Sequence, residues 1–228
     1  MTVFALVGSG EYLEPMEPVD RYLMGKLKQP PRVVCLPTAA GNEGEERIAY
    51  WSNLGIDHFT RLGATVETLP VIDRESADNE PFAERIAKAN FVYLSGGRPT
   101  YLYDTLENTL VWRAILAVLE HGGILAGCSA GAMIMGEEFF SFNGIRSGFN
   151  FIPGAAIIPH FDEIPKARLE QICQHIQPGL TIFGIDGNTA LIRSGNRYEV
   201  VGKGKVTVIR EGEEICCTSG PLPLTIWP

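Results

Sequence analysis

The stretch Gly127-Cys128-Ser129-Ala130-Gly131 sets two nucleophile-capable side chains side by side among small residues, with apolar runs before and after. A Gly-x-Ser-x-Gly pattern between a strand and a helix places its serine on a sharp turn with the hydroxyl exposed. The flanking Gly127 and Gly131 suit a turn where strand and helix backbones come close. The amide of Ala130, opening the helix, can donate to an oxyanion with help from the helix dipole. Spacing centres the motif on Ser129 and turns Cys128 back toward the core, where free cysteine is commonly buried. A tight strand-to-helix turn with no chemistry is the alternative. Amide transfer through Cys128 is disfavoured, because the thiol stands one residue off centre.

A serine nucleophile needs a base. The chain has four histidines, at 58, 121, 160 and 175. His58 falls inside a predicted helix, and His121 and His175 sit near helix C-termini, where the dipole favours them. His160 alone follows a strand, in "IIPHFDE". The base in turn needs an acceptor on its other ring nitrogen. Asp186, in "FGIDGNTAL", is the first choice, with a turn role before Gly187-Asn188 as the alternative. Asp162 and Glu163 stand uncomfortably near His160 in the chain to serve it and could instead contact substrate. Gly96-Gly97 lets a backbone amide approach a ligand and offers a second oxyanion donor. Arg98 either clamps a substrate carboxylate or is a solvated loop arginine. "GSGEY" has Leu13 at the third glycine position of a dinucleotide fingerprint, so it reads as a turn with Glu11 near the site.

These residues need a scaffold that gathers them. Apolar segments 3–8, 32–37, 64–70, 91–97 and 123–127 read as strands. They alternate with helices over 17–28, 43–62, 80–89, 99–120 (broken near Asn108) and 130–137. Nearly continuous apolar strands suit a parallel sheet covered on both faces. The rhythm therefore predicts an α/β, doubly wound, mostly parallel sheet. Beyond an aromatic stretch at 137–153 with no clean period come a strand at 155–159, a helix at 165–177 and a strand at 180–185. Short antiparallel strands finish the chain. The aromatic stretch could line a pocket, act as a lid, form a dimer surface or join the core. In open α/β sheets ligands bind beyond the carboxyl ends of the strands. Gly97, Ser129, His160 and Asp186 all follow such ends, so one rim would hold them.

Residues 1–228 read as one domain. A net charge of −8 excludes the basic footprint expected for nucleic acid or an anionic membrane. Five cysteines with no zinc-like spacing suggest reduced thiols, no metal and no cofactor. With no basic leader and no long apolar run, a cytoplasmic protein is expected. The expected partner is a small peptide substrate; a homodimer is left open.

The segments "ALVGSGEY", "VYLSGGRPTYL", "GGILAGCSAGAMIMG", "GFNFIPGAAIIPHFD" and "GIDGNTAL" together resemble the aspartyl dipeptidase/cyanophycinase family of serine peptidases, whose fold is like that of class I glutamine amidotransferases. The resemblance implies Ser129 as nucleophile, His160 as base and the amides of Gly97 and Ala130 as oxyanion hole. It also implies metal-free cleavage next to aspartyl or β-aspartyl residues. The family commonly carries a glutamate where this chain has Gly187, and Asp186 stands one position earlier. An arginine-rich stretch after the histidine is absent, leaving Arg98, Lys166 and Arg168 to read an aspartyl carboxylate. A catalytically weak amidotransferase-like domain that binds an acidic metabolite or a protein partner is the second reading.

Overall fold

Five parallel strands form the centre of the molecule: β1 (Val3–Val7), β2 (Arg32–Leu36), β3 (Thr65–Thr68), β4 (Phe91–Leu94) and β5 (Ile124–Cys128). The computed structural model describes residues 2–142 and 144–223. Every residue of β1, β4 and β5 is buried, which explains their unbroken apolar sequences. Then follow β6 (Gly136–Ser141), β7 (Gly144–Ser147), β8 (Ile152–Pro159), β9 (Thr181–Ile185) and β10 (Thr189–Ser194). The last strands are β11 (Arg197–Gly202), β12 (Val206–Arg210), β13 (Glu213–Cys217) and β14 (Gly220–Pro221).

The helices are α1 (Glu17–Met24), α2 (Glu45–Arg61), α3 (Arg74–Ala77), α4 (Glu80–Ala87), α5 (Pro99–Leu106), α6 (Leu110–Glu120), α7 (Ala130–Met133) and α8 (Lys166–His175). The expected break near Asn108 is present, with that residue at φ 63° between α5 and α6. Asn79 caps α4 by accepting from the Phe82 N–H at 3.1 Å. Helix α7 is shorter than the expected 130–137, because the chain enters β6 at Gly136.

The α/β class is as expected, but the strands divide between two sheets. One runs β14-β11-β10-β1-β5-β4-β2-β3, its parallel centre extended by antiparallel strands. The other runs β13-β12-β9-β8-β6-β7, with β6, β8 and β9 parallel. Ser129 and Gly97 thus leave the first sheet, while His160 and Asp186 leave the second. The rims meet at a seam, the loop that leads from β9 to β10, where the Asn188 N–H donates to Ser9 O at 3.1 Å.

One face of the first sheet packs Val7, Cys35 and Phe91 against Val19, Leu23 and Phe59 of α1 and α2. The other packs Leu6, Leu94 and Leu125 with Ile115 of α6 and with Phe139, Ile157 and Phe183 of the second sheet. The aromatic stretch is mostly core: Phe139 is buried, and Phe149 stacks on Trp112 with ring centroids 3.7 Å apart. Phe142 is fully exposed.

Candidate active site

Register brings three of the site's segments level. Val7 of β1 pairs with Cys128 of β5, and Leu94 of β4 pairs with Gly127. The turn bearing Glu11, the Gly96-Gly97 loop and Ser129 therefore all leave the sheet at one height.

Ser129 occupies φ 49°, ψ −107°, a conformation that a residue with a Cβ adopts only under strain. The turn is too tight for alternatives. A Cβ on Gly127 would lie 2.4 Å from the Gly131 carbonyl, and one on Gly131 would lie 2.8 Å from Leu94 O. The Ser129 N–H is tied to Val7 O at 2.9 Å, which fixes the backbone of the turn. Its Oγ lies 3.0 Å from Nε2 of His160. His160 ends β8 in the left-handed region, at φ 51° and ψ 36°, and opens a 3-10 turn over Phe161–Glu163. The structure thus brings these two sequence-picked side chains together.

The third position differs from the expectation. The Asp186 carboxylate is not within hydrogen-bonding or ion-pairing reach of His160. Its backbone N–H donates to Lys205 O at 3.1 Å, and its Oδ2 accepts the Lys205 N–H at 3.0 Å. The side chain thereby closes the β9–β12 end. Burial pushes the Asp186 carboxyl up, against the Lys205 amide, and the charge of Asp162 adds to the rise. The group that faces Nδ1 of His160 is Glu163, with Oε2 at 3.8 Å. Both side chains are partly open to solvent, so this is a loose pairing rather than a buried hydrogen bond. Asp162 turns instead to the Gly187 N–H, 2.8 Å from its Oδ1. A Cβ on Gly187 would project to 3.6 Å from Oδ2 of Asp162.

The amides of Gly97 and Ala130, the sequence-picked oxyanion donors, have no acceptor among the described residues. Gly97 holds φ 146°, and a Cβ there would sit 2.5 Å from Ala39 O, so only glycine fits this loop. The Arg98 N–H donates to the same Ala39 O at 2.9 Å.

Cys128 points inward, fully buried, its Sγ–H donating to Glu11 Oε2 at 2.8 Å. Burial and the adjacent Glu11 carboxylate push its thiol well above the ordinary range, which keeps it from acting as a thiolate. Arg98 is exposed and lines a cleft of about 880 Å³ with Asn42, Tyr101, Phe140, Phe142 and Arg146. Arg146 is already forked onto Asp104, at 2.7 and 3.1 Å. Arg168 bonds Gln171 on its own helix at 3.3 Å. Among the described residues no cluster of His, Cys, Asp and Glu could hold a metal ion, and no helix is long and apolar enough to cross a membrane.

A strained serine elbow on an α/β scaffold, with a histidine on its hydroxyl and spare amides beside it, defines the serine-hydrolase class of site. Residues 4–201 match the profile of peptidase family S51, and the chain belongs to that family of serine peptidases. It is 28% identical over 169 residues to a cyanophycinase of Synechococcus elongatus, covering 67% of this chain and 52% of that protein. A cyanophycinase of Geminocystis herdmanii is 27% identical over 176 residues, covering 71% and 64%. The chain thus spans about half to two thirds of these relatives' length. Among solved structures, a peptidase from an acI-B1 Actinobacterium superposes with a TM-score of 0.87 at 38% identity, covering 96% of this chain and 94% of that one. A provisionally named peptidase E of Listeria monocytogenes has a TM-score of 0.63 at 20% identity, covering 96% and 98%, and shares the fold.

Proposed function

We propose that the protein is a serine exopeptidase that cleaves small peptides next to an aspartyl or β-aspartyl residue. The observation that carries the reading is the 3.0 Å contact between Ser129 Oγ and His160 Nε2 on a strained elbow. Ser129 Oγ attacks the scissile carbonyl carbon while Nε2 takes its proton. The carbonyl oxygen becomes an oxyanion, held by the N–H groups of Gly97 and Ala130. His160 then returns the proton to the leaving amine, and an acyl-Ser129 ester remains. Water, deprotonated by the same nitrogen, hydrolyses the ester. Glu163 supports the imidazolium from the Nδ1 side, and Asp186 holds the end of β9 instead of orienting the base.

For substrate choice, Arg98 follows Gly97 directly, and its guanidinium has no ion-pair partner among the described residues. In this reading Arg98 recognises an acidic side chain of the substrate. The resemblance to aspartyl-cleaving peptidases and the cyanophycinases among the similar proteins support the aspartyl preference. Wild type and Ser129→Ala should be compared on a panel of Asp-X and β-Asp-X dipeptides. Loss of turnover by roughly 10⁴-fold or more is expected for the variant. Equal hydrolysis by both would sink the mechanism; hydrolysis only of non-aspartyl dipeptides would sink the substrate assignment.

A further inference from the structure

Glu11 lies beneath the elbow, 6% exposed, with no Lys, Arg or His paired to its carboxylate among the described residues. A buried carboxylate without a counter-charge is costly, and such a group persists where its hydrogen bonds serve something. Both of its oxygens are engaged. Oε1 accepts the Gly96 N–H at 2.8 Å, and Oε2 accepts the Cys128 Sγ–H at 2.8 Å. Gly96 directly precedes the oxyanion glycine, and Cys128 directly precedes the nucleophile. One side chain therefore grips both walls of the site from below.

The packing leaves little room for another arrangement. A Cβ on Gly96 would meet Glu11 Oε1 at 2.8 Å and the Ser129 Cβ at 3.4 Å, so the Gly96 backbone is wedged between the two. On its far side the loop is held by the Arg98 N–H on Ala39 O at 2.9 Å. Amides 96 and 98 are both anchored, and the amide between them, that of Gly97, has no acceptor among the described residues. The loop is a three-amide device in which two fixed bonds aim the third. Glu11 itself is presented by a tight turn, with Gly10 at φ 85° and Tyr12 at φ 65°.

We infer that Glu11 is a positioning residue that fixes the oxyanion loop and the nucleophile elbow in mutual register through the span between its two carboxylate oxygens. The inference rests on the serine-hydrolase reading above. It assigns Glu11 a task of reach rather than of charge, and two variants separate these. Glu11→Gln keeps the length and an acceptor for the Gly96 N–H but loses the charge. Glu11→Asp keeps the charge but is one methylene short of spanning both walls.

The probe is a fluorophosphonate, whose phosphoryl oxygen enters the oxyanion hole as Ser129 Oγ displaces fluoride and His160 takes the proton. Wild type, Glu11→Gln, Glu11→Asp and Glu11→Ala are compared for the saturating labelling rate, the half-saturating probe concentration and the final labelled fraction. The expected order of rate is wild type, then Gln within about tenfold. Asp and Ala should be slower by roughly 10²-fold, the scale of losing one oxyanion donor. Half-saturation and labelled fraction should stay near wild type. A merely unfolded population would lower the labelled fraction and leave the rate constant of the folded remainder intact. If Glu11→Ala does not fold, the ranking of Gln above Asp still decides. Asp equal to or faster than Gln overturns the inference while leaving the hydrolase reading intact. Wild type labelled no faster than Ser129→Ala overturns that reading and the inference with it.

Discussion

Ser129 offers a measurement of stored strain. At φ 49°, ψ −107°, its Cβ is held where few L residues go, at a cost of roughly 1–3 kcal/mol. Ser129→Ala and Ser129→Gly both remove the hydroxyl and its bond to His160, so they differ only in the Cβ. Glycine relieves the strain but loses about 0.4–1 kcal/mol through the greater freedom of its unfolded chain. The balance favours glycine by about 1 kcal/mol, where at an ordinary position it would be the less stable of the two. Urea unfolding of the two inactive variants measures the difference directly. The midpoint temperature should rise by about 2–4 °C for a chain of this size. Ser129→Ala equal to or more stable than Ser129→Gly would refute the claim that the elbow is strained.

Four further expectations concern the groups around the site and one buried pair. Glu163→Gln should lower the labelling rate more than Asp186→Asn does, because only Glu163 faces Nδ1 of His160; the reverse order would restore Asp186 to the catalytic group. Asp186 also carries a pH signature. Its native carboxyl titrates above its ordinary value of 3.8, so its contribution to folding is present below that value and is lost as pH rises through the raised native one. Asp186→Asn should therefore gain on wild type between acid and neutral pH in urea titrations, and a constant difference would count against the burial cause. Cys128 should resist iodoacetamide at pH 8 in the native protein while exposed Cys216 reacts, as read by mass spectrometry of digests. His58 Nε2 and Asp20 Oδ2 form a fully buried pair at 2.8 Å, and Asp20 Oδ1 has no hydrogen-bond partner among the described residues. His58→Ala should cost about 3–5 kcal/mol in urea unfolding by leaving that carboxylate unpaired, and a loss under 1 kcal/mol would show that the site is hydrated.

Ser129, His160, Gly97 and Ala130 were legible because each depends on local pattern: a residue at the end of an apolar run, flanked by glycine or opening a helix. Glu163 was not, for a geometric reason. Three residues is an awkward separation in a loop, but His160 in the left-handed region opens a 3-10 turn, and residues three apart eclipse in that geometry. The φ of His160 cannot be read from "PHFDE". Asp186 looked right because it ends a strand level with His160, since Pro159 pairs with Ile185. What a strand-end argument cannot see is the neighbour across the ladder, here Lys205, which takes the carboxylate. The second sheet was hidden for a similar reason. Strand identity is a local property, whereas the choice of which edge to join is decided by pairing across the whole chain.

The seam between the sheets carries a consequence for when the enzyme can first act. The nucleophile stands on strands complete by residue 128, but the base hangs from β8. Strand β8 is held between β6 and β9 of the second sheet. A chain emerging from the ribosome therefore carries its serine well before it can aim a histidine at it. In the proposed mechanism, competence therefore waits on the second sheet, which carries the histidine. On the proposed mechanism, the division of the pair between two sheets leaves the hydroxyl without its base until both sheets have formed.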